Sequence, residues 1–302
     1  MHKPVLLKES IEFLKPEKGD IILDATINGG GHTQEILKKI GEKGKLIGID
    51  QDAIILQETR NKIKDENAIL INGNFRDLDE LLKNNNVEKI DGAIFDLGMS
   101  TVQLEESGRG FSFRKNEPLL MTFRSDLNGS DLTAYDIINK WSEKDISDIL
   151  YKYGEEKYSR RIARNIVNQR ERKEVKNTFD LVEIIRLSTP PFYRNNHKIN
   201  CCTKTFQALR IAVNNELNAL EERLEKAWQL LFSGSRLVVI SFHSLEDRIV
   251  KNFCKNKSVA EEGKILTKKP VIPSEEEIKL NSASRSAKLR SIEKNYNEFI
   301  EL

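Results

Sequence analysis

Cysteine is scarce, net charge is almost nil and long apolar runs are missing. Three cysteines occur in 302 residues: Cys201, Cys202 and Cys254. An odd number with two adjacent makes neither a disulfide framework nor a zinc-ligand spacing, and cytosol is the expected compartment. Lys and Arg total 49 against 47 Asp and Glu, a net charge of +2 with 32% charged residues. That balance describes a soluble globular chain and excludes a polyanion-binding tail. No apolar stretch reaches the roughly 18–20 residues of a membrane span. The apolar patch in residues 1–7 is too short for a signal peptide. No membrane contact is therefore expected, and the predicted location is cytoplasmic. The length accommodates one large or two modest domains, and no internal repeat is found.

The most informative stretch is residues 20–50. Ile21-Ile22-Leu23 leads into Asp24-Ala25-Thr26-Ile27 and then Asn28-Gly29-Gly30-Gly31-His32. A helical segment from Gln34 to Ile40 follows, and Lys45-Leu46-Ile47-Gly48-Ile49 ends on Asp50. This reads as strand, tight loop, crossover helix and parallel strand. The glycines let backbone approach a ligand, and the following helix N-terminus offers free N–H groups. Asp50 is placed to accept hydrogen bonds from a ribose diol. The dinucleotide fingerprint G-x-G-x-x-G is not there, since its third glycine would fall near Gln34. S-adenosylmethionine carries no phosphate but has an ammonium, a carboxylate, a sulfonium and a ribose. Asp24, Asp50 and a loop of bare amides match those groups better than a pyrophosphate. The alternative is a glycine turn that binds no cofactor.

Strand and helix signals continue to alternate. A helix is predicted over 53–64, a strand over 68–71 ending at Asn72-Gly73-Asn74-Phe75, a helix over 76–83 and a strand over 90–96. These indicate a doubly wound parallel sheet. From about 104 to 203 the strand signal fades, and helices are expected over 132–141, 146–153, 157–172 and 178–187. This domain-sized segment interrupts the sheet. Residues 1–103 and 204–302 are thus assigned to one discontinuous domain and 104–203 to an inserted helical one. A long helix is predicted over 204–232, because Phe206, Leu209, Val213, Leu217, Leu220, Leu224, Ala227 and Leu231 recur at steps of three and four. Ser233-Gly234 should stop it, with a fifth strand over 236–241. A further helix starts with Ser244 as N-cap and Asp247 closing a capping box. Final strands are expected over 264–268 and 288–294.

Ligands in open α/β sheets bind beyond the carboxyl ends of the strands. Here those ends are residues 28–32, Asp50, Asn74-Phe75, residues 96–100 and Ser241-Phe242-His243. Phe75 either covers an adenine or packs in the core. Asp96 is placed to accept a hydrogen bond from an amine about to be methylated, or else to cap a helix. Only the first residue of the amino-methyltransferase pattern D/N-P-P-Y/F is kept, in Asp96-Leu97-Gly98-Met99. His243 is a candidate to orient a base or relay a proton, or a loop histidine. Lys157, Arg160, Arg161 and Arg164 share a helix face that forms either a phosphate-contact ridge or a solvated surface. Arg109-Gly110-Phe111-Ser112-Phe113 suits single-stranded RNA if exposed and is a core loop if buried. Gln207, Arg210 and Asn214 border the long apolar stripe and line either a cleft or a solvated flank.

Together these residues resemble the RsmH (MraW) family of 16S ribosomal RNA cytosine-N4 methyltransferases. The resemblance runs nearly end to end: His2-Lys3-Pro4-Val5-Leu6-Leu7, Asp24-Ala25-Thr26 with Gly29-Gly30-Gly31-His32, Gly48-Ile49-Asp50, Gly73-Asn74-Phe75, Asp96-Leu97-Gly98-Met99-Ser100 and Gln103-Leu104. It continues through Arg109-Gly110-Phe111-Ser112-Phe113, Tyr153-Gly154-Glu155-Glu156, Phe206-Gln207-Ala208-Leu209-Arg210-Ile211, and Ser241-Phe242-His243-Ser244-Leu245-Glu246-Asp247-Arg248. It ends with Arg285-Ser286-Ala287-Lys288-Leu289-Arg290. The resemblance implies a class I methyltransferase (Rossmann-like) sheet with a helical insert. It implies S-adenosylmethionine contacts at Gly30, Gly31, His32, Asp50, Phe75, Asp96 and Gln103. It also implies a cytidine in the decoding region as substrate, with 16S ribosomal RNA of the small ribosomal subunit as partner. Asp96 and His243 are then the catalytic candidates, and Arg109, Phe111, Arg160, Arg164, Arg210 and Asn214 the substrate-binding ones. No metal is expected.

Three departures stand out. Asn28 replaces a usual glycine, residues 116–124 replace a run rich in acids, and Asn200-Cys201-Cys202-Thr203 replaces H-P-A-T. They motivate an alternative, a ribosome-binding assembly factor with weakened catalysis. A nicotinamide oxidoreductase is a third reading, set aside because its fingerprint is missing.

Overall fold

The computed structural model describes residues 3–73, 78–99, 103–104, 106–124, 127, 129, 131–195 and 200–296. They divide into two units, Met1–Ser100 with Leu217–Leu302, and Thr101–Glu216.

The first unit is built on a seven-stranded sheet. Its strands are β1 Ile21–Asp24, β2 Lys45–Asp50, β3 Ala68–Asn72, β4 Ile90–Asp96, β5 Leu231–Ser241, β6 Gly263–Ile265 and β7 Lys288–Lys294. Their order is β3-β2-β1-β4-β5-β7-β6. The first five run parallel, while β7 is antiparallel to both β5 and β6. The central strands are apolar on both faces, as parallel strands covered by helices must be. Leu23, Ile47, Ala93, Phe95, Leu237 and Val239 enter one core with the helix Glu216–Leu230 and Trp228. Their neighbours Ile22, Leu46, Ile94, Val238 and Ile240 enter the other, with the helix Gly31–Ile40 and the N-terminal Val5 and Leu6. The strand order reverses between β1 and β4, and the connections after both leave from their carboxyl ends. That reversal opens the crevice where an α/β sheet takes its ligand.

The second unit is helical. Ala134–Lys140, Glu143–Gly154, Ser159–Arg170, Thr178–Ser188 and Thr203–Asn214 are its main helices. Capping boxes at Thr133/Asp136 and Asn177/Asp180 start two of them. Thr203–Asn214 packs on Glu143–Gly154. Gly154 permits this, because a Cβ there would sit 2.5 Å from the carbonyl oxygen of Lys204.

Two expectations need correction. The long helix over 204–232 is two helices, Thr203–Asn214 and Glu216–Leu230, parted by Asn215 at φ 49°. Asparagine tolerates this left-handed conformation, and a break of one residue leaves the apolar steps of three and four intact on either side. The cap of the helix Ser244–Val259 is also displaced by one residue. His243 is the N-cap and Glu246 completes the box, in place of Ser244 and Asp247. Asp247 instead pairs with Arg290 and Lys288.

A close approach inside the sheet yields a test. A Cβ on Gly48 in β2 would lie 2.7 Å from Ile27 Cδ1 and 2.8 Å from Leu70 Cδ2. Gly48→Ala should destabilise the protein by about 1–3 kcal/mol, as overpacking does. Urea denaturation checks this, and an unchanged midpoint would show that Ile27 and Leu70 move aside freely.

Candidate active site

The turn after β1 carries three successive residues in left-handed backbone, Asn28 (φ 43°), Gly29 (φ 94°) and Gly30 (φ 82°). The helix Gly31–Ile40 begins directly behind it, with no side chain capping its first amides. Bare N–H groups at a helix start favour a carboxylate. The glycines have a second reason for being there. A Cβ on Gly30 would strike Ile63 Cδ1 at 2.8 Å, and one on Gly31 would strike Pro4 Cβ at 2.9 Å. Close packing against the N-terminal Pro4 thus requires Gly31 whether or not a ligand approaches.

Three carboxyl groups gather at the strand ends. Asp24 closes β1 and is buried; Thr33 Oγ1 donates to its Oδ2 at 2.6 Å and the Thr26 amide to its Oδ1 at 3.2 Å. Burial pushes its pKa up to about 6, against those hydrogen bonds. Asp50 closes β2, and its Oδ1 accepts the Asp52 amide at 2.8 Å. Burial first, then the charges of Asp52 and Asp24, raise Asp50 to about 7. Asp96 closes β4 and is 3% exposed. Burial, with Asp24 and Glu246 adding, holds it well above the ordinary carboxylate range, opposed by Asn28. Its Oδ2 lies 3.6 Å from His32 Nδ1, whereas its Oδ1 is buried with no hydrogen-bond partner. A buried acceptor without a donor is costly in a folded protein. Such an atom at the crevice between β1 and β4 fits an incoming N–H or cation. Cationic and ribose-bearing S-adenosylmethionine suits this donor and acceptor set: bare helix amides for its carboxylate, Asp50 for the ribose and buried carboxyl groups for positive charge.

His32 is buried, its Nε2 3.1 Å from the Val5 carbonyl oxygen, so its ring ties the helix start to the N-terminus. His243 caps its helix: Nδ1 accepts the Glu246 amide at 3.3 Å and Nε2 lies 3.2 Å from Glu246 Oε1. Nδ1 is thus taken up by the cap, whereas Nε2 is buried and makes no hydrogen bond. Phe75 lies outside the described residues.

Within the second unit, Gln103 is buried. Arg109 and Phe111 are buried too, with Arg109 Nη1 donating to the Phe123 carbonyl at 2.7 Å and Phe111 stacked on Phe123. Of the two readings of residues 109–113, the core loop is the one observed for these side chains. Arg210 forms a bidentate pair with Glu216 at 2.8 and 2.9 Å. Asn214 accepts the Phe123 amide at 2.8 Å and donates to the Met121 carbonyl at 2.7 Å. Arg210 and Asn214 therefore make contacts within their own unit. Arg160, Arg161 and Arg164 are exposed, as a ridge requires, although Arg164 meets Glu143 at 3.7 Å. What composition could not reveal were Thr26 and Asn28, whose side chains both reach Asp96.

Fold and site together define a Rossmann-like α/β methyltransferase with S-adenosylmethionine as methyl donor. The model of the MraW methylase family matches residues 1–295. The chain is 48% identical over 296 residues to "Ribosomal RNA small subunit methyltransferase H" of Thermotoga neapolitana, covering 97% of this chain and 95% of that protein. It is 47% identical over 291 residues to the protein of the same name from Sulfurihydrogenibium sp., with 96% and 97% covered. A solved rRNA methylase from Streptococcus thermophilus is similar at 13% identity and TM-score 0.44, over 98% of this chain and 99% of that one. The chain belongs to the MraW methylase family.

The raised carboxyl pKa values set a stability trend. A carboxyl whose pKa is higher folded than unfolded holds its proton more tightly in the folded state. Its contribution is complete below the unfolded value and is lost as pH rises through the folded one. For Asp24 the window runs from 3.8 to about 6. Wild type should lose about 1–3 kcal/mol relative to Asp24→Asn between those limits. Denaturant titration at both pH values measures the difference, and parallel pH dependences would show that Asp24 ionises normally.

Proposed function

We propose that the protein transfers methyl from S-adenosylmethionine to the exocyclic N4 of a cytidine in the decoding region of 16S ribosomal RNA. Methylation of small-subunit ribosomal RNA is the activity of the family to which the chain belongs. The observation that carries the finer reading is Asp96 Oδ1, a buried acceptor with no partner at the sheet's ligand crevice. A cytosine amine shares its lone pair with the ring and is a weak nucleophile, so positioning and exclusion of water must supply much of the rate. Asp96 accepts an N–H of that amine, raises electron density on its nitrogen and takes up developing positive charge. The methyl donor supplies an activated methyl on a sulfonium. Asp50 holds its ribose, and the amides of the helix Gly31–Ile40 hold its carboxylate. The helical unit engages the RNA through Arg160 and Arg164, in the small subunit, and the protein works in the cytoplasm.

Asp96→Asn keeps the shape of the side chain and removes its charge. With S-adenosylmethionine saturating, single-turnover methylation should fall by about 10²-fold or more, the scale of losing one electrostatic stabiliser. Ionised Asp96 is the active form, so the wild-type rate falls as pH drops through its raised pKa, and the variant loses that limb. A rate within a few-fold of wild type would leave Asp96 as a binding residue only.

Neutralising Arg160 and Arg164 together should weaken RNA binding and flatten its salt dependence by about 0.7–0.9 in log–log slope per lost contact. Affinity for S-adenosylmethionine should not change. An unchanged slope would make the ridge a solvated helix face.

A further inference from the structure

One loop converges on Asp96 from several directions. Thr26 Oγ1 accepts the Asp96 amide at 2.5 Å, and Asn28 Nδ2 donates to the Asp96 carbonyl oxygen at 2.7 Å. His32 Nδ1 faces Oδ2 from the next helix at 3.6 Å. Thr26 and Asn28 thus grip both backbone polar atoms of the residue whose side chain carries the unpartnered Oδ1. Thr26 and Asn28 lie in the turn after β1, and Asp96 ends the neighbouring β4, so the two hydrogen bonds fix the ligand loop and the acceptor as one piece.

Asn28 is the distinctive member of this grip. It sits at φ 43°, a conformation natural to glycine and tolerated by asparagine. Turn geometry alone needs no side chain there. The amide uses the position to cross from one strand end to the other. It also opposes the rise in the pKa of Asp96 caused by burial, Asp24 and Glu246.

We propose that Asn28 is a positioning residue for methyl transfer: its carboxamide locks the end of β4 so that Asp96 Oδ1 points at the acceptor amine. This rests on the reading of Asp96 as the hydrogen-bond acceptor. A displacement of about 1 Å at a reacting group is enough to cost up to 10²-fold in rate, and loss of one partly buried hydrogen bond is expected to do less.

Asn28→Gly tests this, because glycine keeps the backbone conformation while the link is lost. With S-adenosylmethionine and small subunits from unmodified cells saturating, single-turnover rate should fall about 5–30-fold. KM for S-adenosylmethionine should move by less than about threefold, since Asp50 and the helix amides are untouched. The acid limb of the pH–rate profile should shift to higher pH, because one group favouring the ionised carboxyl is gone. His32, Asp24 and Glu246 keep their places around Asp96, so the limb should remain single. In an Asp96→Asn background, Asn28→Gly should add almost nothing. A wild-type rate and profile in folded Asn28→Gly, while Asp96→Asn stays slow, would overturn the proposal and leave Asp96 standing. Equal losses from Asn28→Gly in the presence and absence of the Asp96 carboxylate would reduce Asn28 to loop support. A near wild-type rate in Asp96→Asn would remove both readings together.

Discussion

The hydrogen bonds that join the loop after β1 to the end of β4 are the constraint on which the site depends. Parallel strands give each loop its own strand end, and nothing in the ladder itself sets one loop against the next. Here Ala25 extends the pairing by donating to the Ile94 carbonyl, and Thr26 and Asn28 then bind the backbone of Asp96. Asp24 and Asp96 are both held in a buried place, where desolvation raises both pKa values and the charge of Asp24 adds to the rise at Asp96. The same packing that would be a liability in a plain core becomes a receptor for positive charge. Two buried polar devices support the loop from behind: Thr33 on Asp24, and His32 on the carbonyl of Val5.

Much of this fold is legible from pattern. The strand–loop–helix–strand unit over residues 20–50 appears as read, because apolar triplets, glycines and a terminal acid are local signals. The antiparallel last pair is not, since β7 inserts between β5 and β6 through contacts distant in sequence. Asn215 escapes notice because a left-handed residue costs asparagine little and shifts no apolar spacing. For the site, a lone aspartate at a strand end draws attention, but only coordinates show that Oδ1 of Asp96 lacks a donor. Glycine is the less transparent case. Gly31 reads as room for a ligand, and in the structure it is first of all room for Pro4.

In the helical unit one sequence motif is tied into internal packing. Residues 109–123 fold back on themselves: the Met121 amide donates to the Arg109 carbonyl, and Gly110 lies so near the Pro118 carbonyl that a Cβ would be 2.3 Å away. Glu117 accepts the Gly110 amide, and Asn214 fastens the end of the loop at Met121 and Phe123. Residues 117–123, part of the segment that departs from the family pattern, therefore have defined packing roles here. Cys201 and Cys202 are likewise buried, and burial raises the Cys202 thiol far above its usual range.

The proposed activity is amino-methyl transfer to a defined ribosomal target. Small ribosomal subunits from cells lacking the modification, incubated with the protein and S-adenosylmethionine carrying a labelled methyl, put that claim to its most direct test. The label should appear in a single decoding-region cytidine of the 16S RNA, recovered on digestion as the N4-methyl nucleoside. Label on a ring carbon, a ribose oxygen or a base outside the decoding region would contradict the assigned chemistry or target. Absence of label with cofactor and subunits both bound would instead describe a binding protein that has lost the reaction.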